Sequence, residues 1–309
     1  MSVARRENFG KLLEPGLHKI FNDTYQAVPQ MLGELYNVQT TDQPYVEDVA
    51  IGAFGTFPKF TGTVSYDKPY QGYSTLVEFP EYADGFQVER KLFDDDRYNV
   101  INKRPVGLAI QAARRREHDA ALLFNNADST TAVDIEGNTV SIVGGDGKAL
   151  CATDHPTKAP DGPTARSNKG VLTLNHANLQ TTRNLVRAIK DDRGNQISTN
   201  FDTLLVPPAL EEMGWELIQS EKKINTNENN PNIHQGKYKM IVWDSLTNDD
   251  NWFLIDSKYM KMFLNWYDRV ALEFGAEEDF DTLVAKFRAY MRYNANFSDW
   301  IWIHGNFPA

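Results

Sequence analysis

Cys151-Ala152-Thr153-Asp154-His155-Pro156 places a thiol, a carboxylate and an imidazole within five residues, the side-chain set of a nucleophilic cysteine site. In such a site the base must meet the thiol in space, and partners this local rarely do. A turn held by Asp and Pro is the commoner use of such a segment. Gly144-Gly145-Asp146-Gly147-Lys148-Ala149 suggests a phosphate-binding loop, but Ala149 occupies the place of the hydroxyl that would hold magnesium, so it reads as a turn between short strands. Carboxylates group at Asp94-Asp95-Asp96, Glu211-Glu212, Asp249-Asp250 and Glu277-Glu278-Asp279. Such pairs can perform acid–base work or bind metal, yet acidic residues are far more frequent at helix starts and turns. The six histidines (His18, His118, His155, His176, His234, His304) show no ligand spacing. Arg114-Arg115-Arg116 could contact phosphate, but consecutive helical residues point in different directions and are ordinarily solvated or ion-paired. The expectation is a non-enzyme with no catalytic, cofactor-binding or metal residues.

Composition narrows the class further. The chain has 309 residues, with 32 basic and 42 acidic side chains and a formal charge of −10. That balance argues against a dedicated nucleic-acid-binding module. With 41% hydrophobic and 24% charged residues the chain can build a sizeable core, which excludes global disorder. A single cysteine excludes a disulfide scaffold and a cysteine-rich zinc site. No apolar run approaches the roughly 18 to 20 residues of a membrane helix, and the basic start Met1–Glu7 is followed by no secretory apolar segment.

The elements that would carry these residues follow from pattern. Up to Pro44, apolar residues at helical spacing (Phe9, Leu12, Leu13, then Leu17, Ile20, Phe21) are interrupted by Pro15-Gly16 and Pro29, which predicts an arm of short helices. From Tyr45 to Leu92, Gly and Pro recur among aromatic and β-branched residues. This predicts a long hairpin or extended loop, with Phe86, Val88 and Leu92 on one strand face. Pro105 near a first turn, an alanine-rich run and Asn125-Asn126 predict a long helix. Residues 128–170 read as turns. Leu172–Asn175 leads into a helix through Ile189, Thr203–Val206 is a buried strand stopped by Pro207-Pro208, and a helix follows through Leu217. Tyr238–Trp243 and Trp252–Ile255 read as strands, and the tail from Asp268 to Ile303 as mainly extended. Within it Phe287, Ala289, Met291 and Tyr293 face one way and Arg288 and Arg292 the other. A long aromatic projection, an arm and a slender helix bury little within one molecule and more between molecules.

Five segments then carry a resemblance: Gly55-Thr56-Phe57-Pro58-Lys59-Phe60; Phe86-Gln87-Val88-Glu89-Arg90 with Phe93-Asp94-Asp95-Asp96; Asp154-His155-Pro156; Thr203-Leu204-Leu205-Val206-Pro207-Pro208-Ala209-Leu210; and Asp279-Phe280 through Leu283–Ala289. In this order and with these gaps they resemble the major capsid proteins of tailed bacteriophages with the Hong Kong 97 fold, in particular the phage Mu-type head subunits. They are similar, in turn, to five features of that family. These are the start of the extended loop, the strand and acidic turn before the spine helix, a His-Pro turn, the strand–proline–helix of the axial domain, and the last long peripheral segment. The likeness runs from about Tyr45 to Gly305.

The resemblance implies an α+β fold with an N-terminal arm (1–44) and an extended β-hairpin loop with flanking strands (45–93). It further implies a peripheral domain (94–165 and 265–309) with a spine helix at about 103–126, and an axial α/β domain (166–264). It implies a major capsid protein that self-assembles, as hexamers and pentamers, into an icosahedral head shell around double-stranded DNA, without sequence-specific binding. Scaffold, portal and decoration proteins would be its partners, with no membrane involved. Its place would be the virion, after assembly in the host bacterial cytoplasm. Assembly contacts are expected at Phe57, Lys59, Phe60, Tyr66, Lys68, Tyr70, Tyr73, Arg114 and Arg115. Some relatives join subunits by a Lys–Asn isopeptide bond. Lys59 and Lys68 could supply the amine, but Glu277–Asp281 contains no Asn, so no self-crosslinking is expected. The alternatives are an encapsulin-like protein compartment and a cytoplasmic enzyme built on Cys151, Asp154 and His155.

Overall fold

The computed structural model describes residues 10–51, 59, 60, 62, 64, 66, 71–89, 102–159, 162, 163, 165–222, 230–279 and 284–308. The first half contains α1 (Gly10–Ala27), α2 (Leu32–Leu35), β1 (Asn37–Thr40), β2 (Tyr45–Ile51), β3 (Gln71–Glu78), β4 (Glu81–Glu89), α3 (Lys103–Asn125), β5 (Thr131–Val133) and β6 (Thr139–Ser141). The second contains β7 (Lys169–Gly170), α4 (His176–Arg187), β8 (Thr203–Val206), α5 (Glu211–Gln219), β9 (Lys239–Val242), β10 (Trp252–Ile255), α6 (Ser257–Phe263), β11 (Leu264–Asp279), β12 (Val284–Phe297) and β13 (Ile303–Asn306).

Strict alternation makes β12 two-faced. Phe287, Ala289, Met291 and Tyr293 are buried, whereas Lys286 and Arg288 are exposed. β12 is the long inner strand of a four-stranded sheet, order β1-β11-β12-β4, antiparallel to both β11 and β4. Its buried face is covered by α3 and α1. Leu108 and Ala109 of α3, Leu17 and Phe21 of α1, and Phe274 and Phe287 of the sheet form one apolar cluster, with the Phe21 and Phe274 rings stacked at 4.7 Å. On β4, Phe86 and Val88 turn inward as the pattern predicts, while Leu92 lies outside the described residues.

The second sheet has five strands in the order β7-β13-β10-β8-β9. Every residue of β8, β10 and β13 is buried, because both sheet faces are covered. On one face Leu204, Val206, Trp252 and Leu254 pack under α4 and α5 with Leu179, Leu217 and Ile218. On the other, Leu205, Phe253 and Ile255 join the end of α3 in a core shared by both sheets. Phe124 sits at its centre, edge-on to Tyr36, Trp243, Phe253 and Trp302 at 5.4–6.3 Å. Asn125 ties the helix end to this second unit, donating to the Ser245 carbonyl at 2.9 Å and accepting from the Thr247 amide at 3.0 Å.

The long helix matches its expected bounds and, at about 1.5 Å per residue, spans about 34 Å. β2 and β3 pair antiparallel from Tyr45↔Glu78 onward, forming the strands at the root of the expected hairpin. Three expectations differ from the structure. Helix α1 runs unbroken through Pro15-Gly16, and only Pro29 lies beyond its end. An internal proline costs a helix about 3 kcal/mol, and the buried Leu17 and Phe21 offset that through contacts no local pattern reveals. Helix α6 was not foreseen. Asp256 caps it, accepting from the Lys258 and Tyr259 amides, and that cap is its one local signal. β13 does not extend the β11–β12 sheet but inserts between β7 and β10, after the Trp300–Trp302 turn redirects the chain.

Candidate assembly surface

The cysteine cluster is structural. Cys151 is fully buried, its amide bonded to the Ala127 carbonyl at 2.7 Å and its sulfur packed against the Gly305 backbone, and burial pushes the thiol far above its ordinary range. His155 is equally buried and does not serve the thiol. Its Nδ1 lies 2.7 Å from Asp146 and its Nε2 3.0 Å from Asn168 Oδ1, and its ring stacks on Trp300 at 4.3 Å. With both ring nitrogens taken, no Cys–His pair forms. Asp154, at the surface, pairs with Lys148, which holds its carboxyl below the usual range. Asn168 organises the region: its amide donates to the Leu150 and Ile303 carbonyls, and its oxygen also accepts from the Ala152 amide.

The glycine-rich segment following β6 is a turn, as expected. The Gly144 amide bonds the Lys148 carbonyl at 2.9 Å, Asp146 accepts from the Lys148 amide, and Gly147 takes a φ of +74° that disfavours side chains. It borders a cleft of about 880 Å³ lined by Tyr73, Asp146, Lys158, Arg166 and Trp300. The cleft's carboxylates serve the fold: Asp48 accepts from Tyr267 and Asn296, and Asp191 accepts from the Arg193 and Asn195 amides. Of the carboxylate groups, Glu211-Glu212 opens α5, while Asp94-Asp95-Asp96 lies outside the described residues. Among the described residues no group of three or more His, Cys, Asp or Glu side chains could hold a metal ion.

The three arginines diverge as helical geometry requires. Arg114 is exposed. Arg115 bonds Asp119 at 2.9 Å, pairs with Glu136 and lies over the Tyr82 ring. Arg116 is buried, and its two terminal nitrogens meet the two Asp268 oxygens at 2.9 and 3.0 Å, with the guanidinium beside the stacked Trp266 and Tyr293 rings. Burial opposes its charge, and the bond to Asp268 together with the electrostatic pull of Asp268, Tyr25 and Tyr293 outweighs that, so the guanidinium stays ionised. A partner 152 residues away leaves no trace in the local sequence.

Of the expected contact residues, Lys59, Phe60 and Tyr66 are exposed, Phe60 at 69% and Tyr66 at 87%. Tyr73 is half-buried under Lys158, whose ammonium lies 4.5 Å from the ring centre. Phe57, Lys68 and Tyr70 lie outside the described residues. Exposed apolar residues that the sequence reading passed over include Leu76 on β3, Val133 and Ile135 at the β5–β6 hairpin, and Trp215 on α5. Their distinguishing feature is accessibility, which only the fold reveals.

No curated protein gives a significant match. Solved structures share the fold at low identity. The capsid of a native GTA particle is 13% identical, covering 90% of this chain and 90% of that one, with a TM-score of 0.52. The procapsid of bacteriophage JBD30 is 13% identical over 99% of this chain and 77% of that one, at 0.52. The bacteriophage JBD30 capsid is 11% identical over 79% and 100%, at 0.55. The phage capsid protein model matches residues 72–305, which run from β3 into β13 and leave out α1, α2, β1 and β2, and it favours neither a protein-cargo compartment nor an enzyme. The chain therefore belongs to the phage capsid protein family and is a structural component of the virion shell.

Proposed function

We propose that this chain is the major subunit of an icosahedral head shell that encloses the double-stranded DNA of a tailed phage. In this reading it has a Hong Kong 97-type fold and is related to the Mu-type head subunits. The observation that carries the proposal is the antiparallel β2–β3 pair whose connecting segment exposes Phe60, Val64 and Tyr66, side chains that the described residues of their own molecule leave uncovered. The sheet carrying α1 and α3 corresponds to the peripheral domain, the sheet under α4 and α5 to the axial domain, and 45–93 to the extended loop. Lys59, Phe60 and Tyr66, with Phe57, Lys68 and Tyr70, form the contact that lies on a neighbouring copy. Tyr73 and Arg115 hold the root of the loop and the α3 surface in shape, and Arg114 faces a neighbour. Contacts of this kind are heterologous, and a permanent shell needs on the order of 2,000 Å² or more at each.

A net charge of −10 suits such a container, since a wall attractive to phosphate would resist packing and ejection of DNA. Separate scaffold and portal proteins serve assembly in the host cytoplasm. Decoration has a parallel in the JBD30 capsid, which is described with minor capsid protein trimers. The test is negative-stain microscopy and sedimentation of the expressed chain, with and without its scaffold candidate. Closed shells that package DNA are expected. A protease-resistant monomer that never polymerises would overturn the reading, and shells filled with protein cargo would overturn the DNA-container role.

A further inference from the structure

The protein contains six tryptophans, five of them 4% exposed or less; Trp215, on α5, is 58% exposed. Helix α5 turns Gly214, Leu217 and Ile218 toward the sheet, where Met240 and Leu204 approach Gly214. At about 100° per residue, Glu211, Glu212 and Trp215 fall on its outer side. Glu211 and Glu212 are exposed, Glu216 is half-buried, and among the described residues none of the three forms an ion pair. Acidic residues in a first turn complement the helix dipole, which accounts for Glu211 and Glu212 but not for Glu216 in the second half of the helix, nor for the bare indole.

Helix α4 and the segment after α5 have the opposite character. Residues seven and eleven apart share a helix side, so His176, Arg183 and Arg187 line up along α4. Lys237 and the buried His234 stand beside them, with the His234 ring 4.7 Å from that of His176. Neither Arg183, Arg187 nor Lys237 has a carboxylate partner among the described residues. Burial, reinforced by His176, Arg183 and Lys237, lowers His234 to about 4. Both His234 ring nitrogens are without a hydrogen-bond partner among the described residues, and neighbouring Ile233 is 44% exposed.

Single-sign faces are usually just solvated. Here, however, each face also exposes a large apolar residue, and the two faces are opposite in charge. We propose that the Glu211, Glu212 and Trp215 face of α5 in one copy docks on the Arg183, Arg187 and Lys237 face of α4 and the 233–237 segment in a second copy. This rests on the shell reading and names a contact within it. Because the two patches differ, each copy gives one and receives one, so the contact propagates head to tail and closes into rings where the rotation allows. Trp215 supplies the apolar anchor beside Ile233, and the charges steer and orient the encounter.

The test is charge exchange in the full chain. Glu211→Lys with Glu212→Lys, Arg183→Glu with Arg187→Glu, and the combination of all four are compared with wild type by sedimentation velocity and electron microscopy at equal concentration, with thermal melts as the folding control. Each reversal alone should lower the assembled fraction about tenfold, and the combination should restore it to within about threefold. Trp215→Ser should lower assembly about tenfold with an unchanged melting temperature. Should a reversal melt early, the neutral pair Glu211→Gln with Glu212→Gln replaces it, and its assembly loss should shrink in high salt. Wild-type particles that tolerate both reversals, or a folded four-fold variant no better than either reversal, would overturn this pairing alone. Wild-type chains that form no particle would overturn the pairing and the shell reading together.

Discussion

Replacing Arg116 with methionine removes the guanidinium but keeps most of the apolar stem of a side chain that lies beside the stacked Trp266 and Tyr293 rings. What remains is Asp268, 9% exposed, its carboxylate reduced from three donors to one, the Trp266 indole N–H at 3.1 Å. Leaving one member of a buried ion pair without its partner costs about 3–5 kcal/mol. An unfolding entropy of about 2.1 cal/mol/K per residue amounts to about 0.65 kcal/mol/K for 309 residues, so the melting midpoint should fall by about 5–8 °C. The informative control is Arg116→Met with Asp268→Leu, which replaces both charges by apolar groups and should return the midpoint to within about 2 °C of wild type. Near-ultraviolet circular dichroism of unassembled chain, heated at neutral pH, reads the packing of these aromatics directly. A single variant melting within about 1 °C of wild type would refute the account, as would a double variant no more stable than the single one.

Cys151 should resist thiol reagents in the native chain and react only as fast as the protein unfolds; fast labelling of native protein would show that its burial is misplaced. His304 is buried and lowered to about 4, below its unfolded value near 6.5, so the unfolded chain binds the extra proton between those limits. Its contribution to stability is therefore complete above about pH 6.5 and is lost as pH falls toward 4. Denaturation midpoints should decline across that window, and His304→Gln should flatten the decline. Gly85 on β4 faces the Phe287 carbonyl, which a Cβ would approach to 2.3 Å, so Gly85→Val should release β4 from β12 and raise amide exchange along Glu81–Glu89; unchanged protection there would count against the close pairing.

The likeness in the sequence pointed to a phage capsid protein, which the family match supports at that level, and local pattern pointed to most elements. Period-two alternation identified β12, Pro207-Pro208 ended β8, and the span from Pro105 to Asn125-Asn126 bounded α3. These signals are legible because each depends on residues close together in the chain. The exposed loop aromatics were legible for a related reason: an aromatic stretch rich in glycine and proline cannot cover itself.

Tertiary structure decided the rest. Which arginine of three is buried depended on helix rotation and on Asp268 arriving from β11. Whether His155 was a base or a pin depended on Asp146 and Asn168 reaching both sides of its ring. Trp215 is an unremarkable apolar residue in a helical pattern until the fold leaves it uncovered while burying the other five tryptophans. Propensity and periodicity are properties of a few consecutive residues, whereas burial and partner choice are set by segments more than a hundred positions apart, and those meet only once the chain has folded.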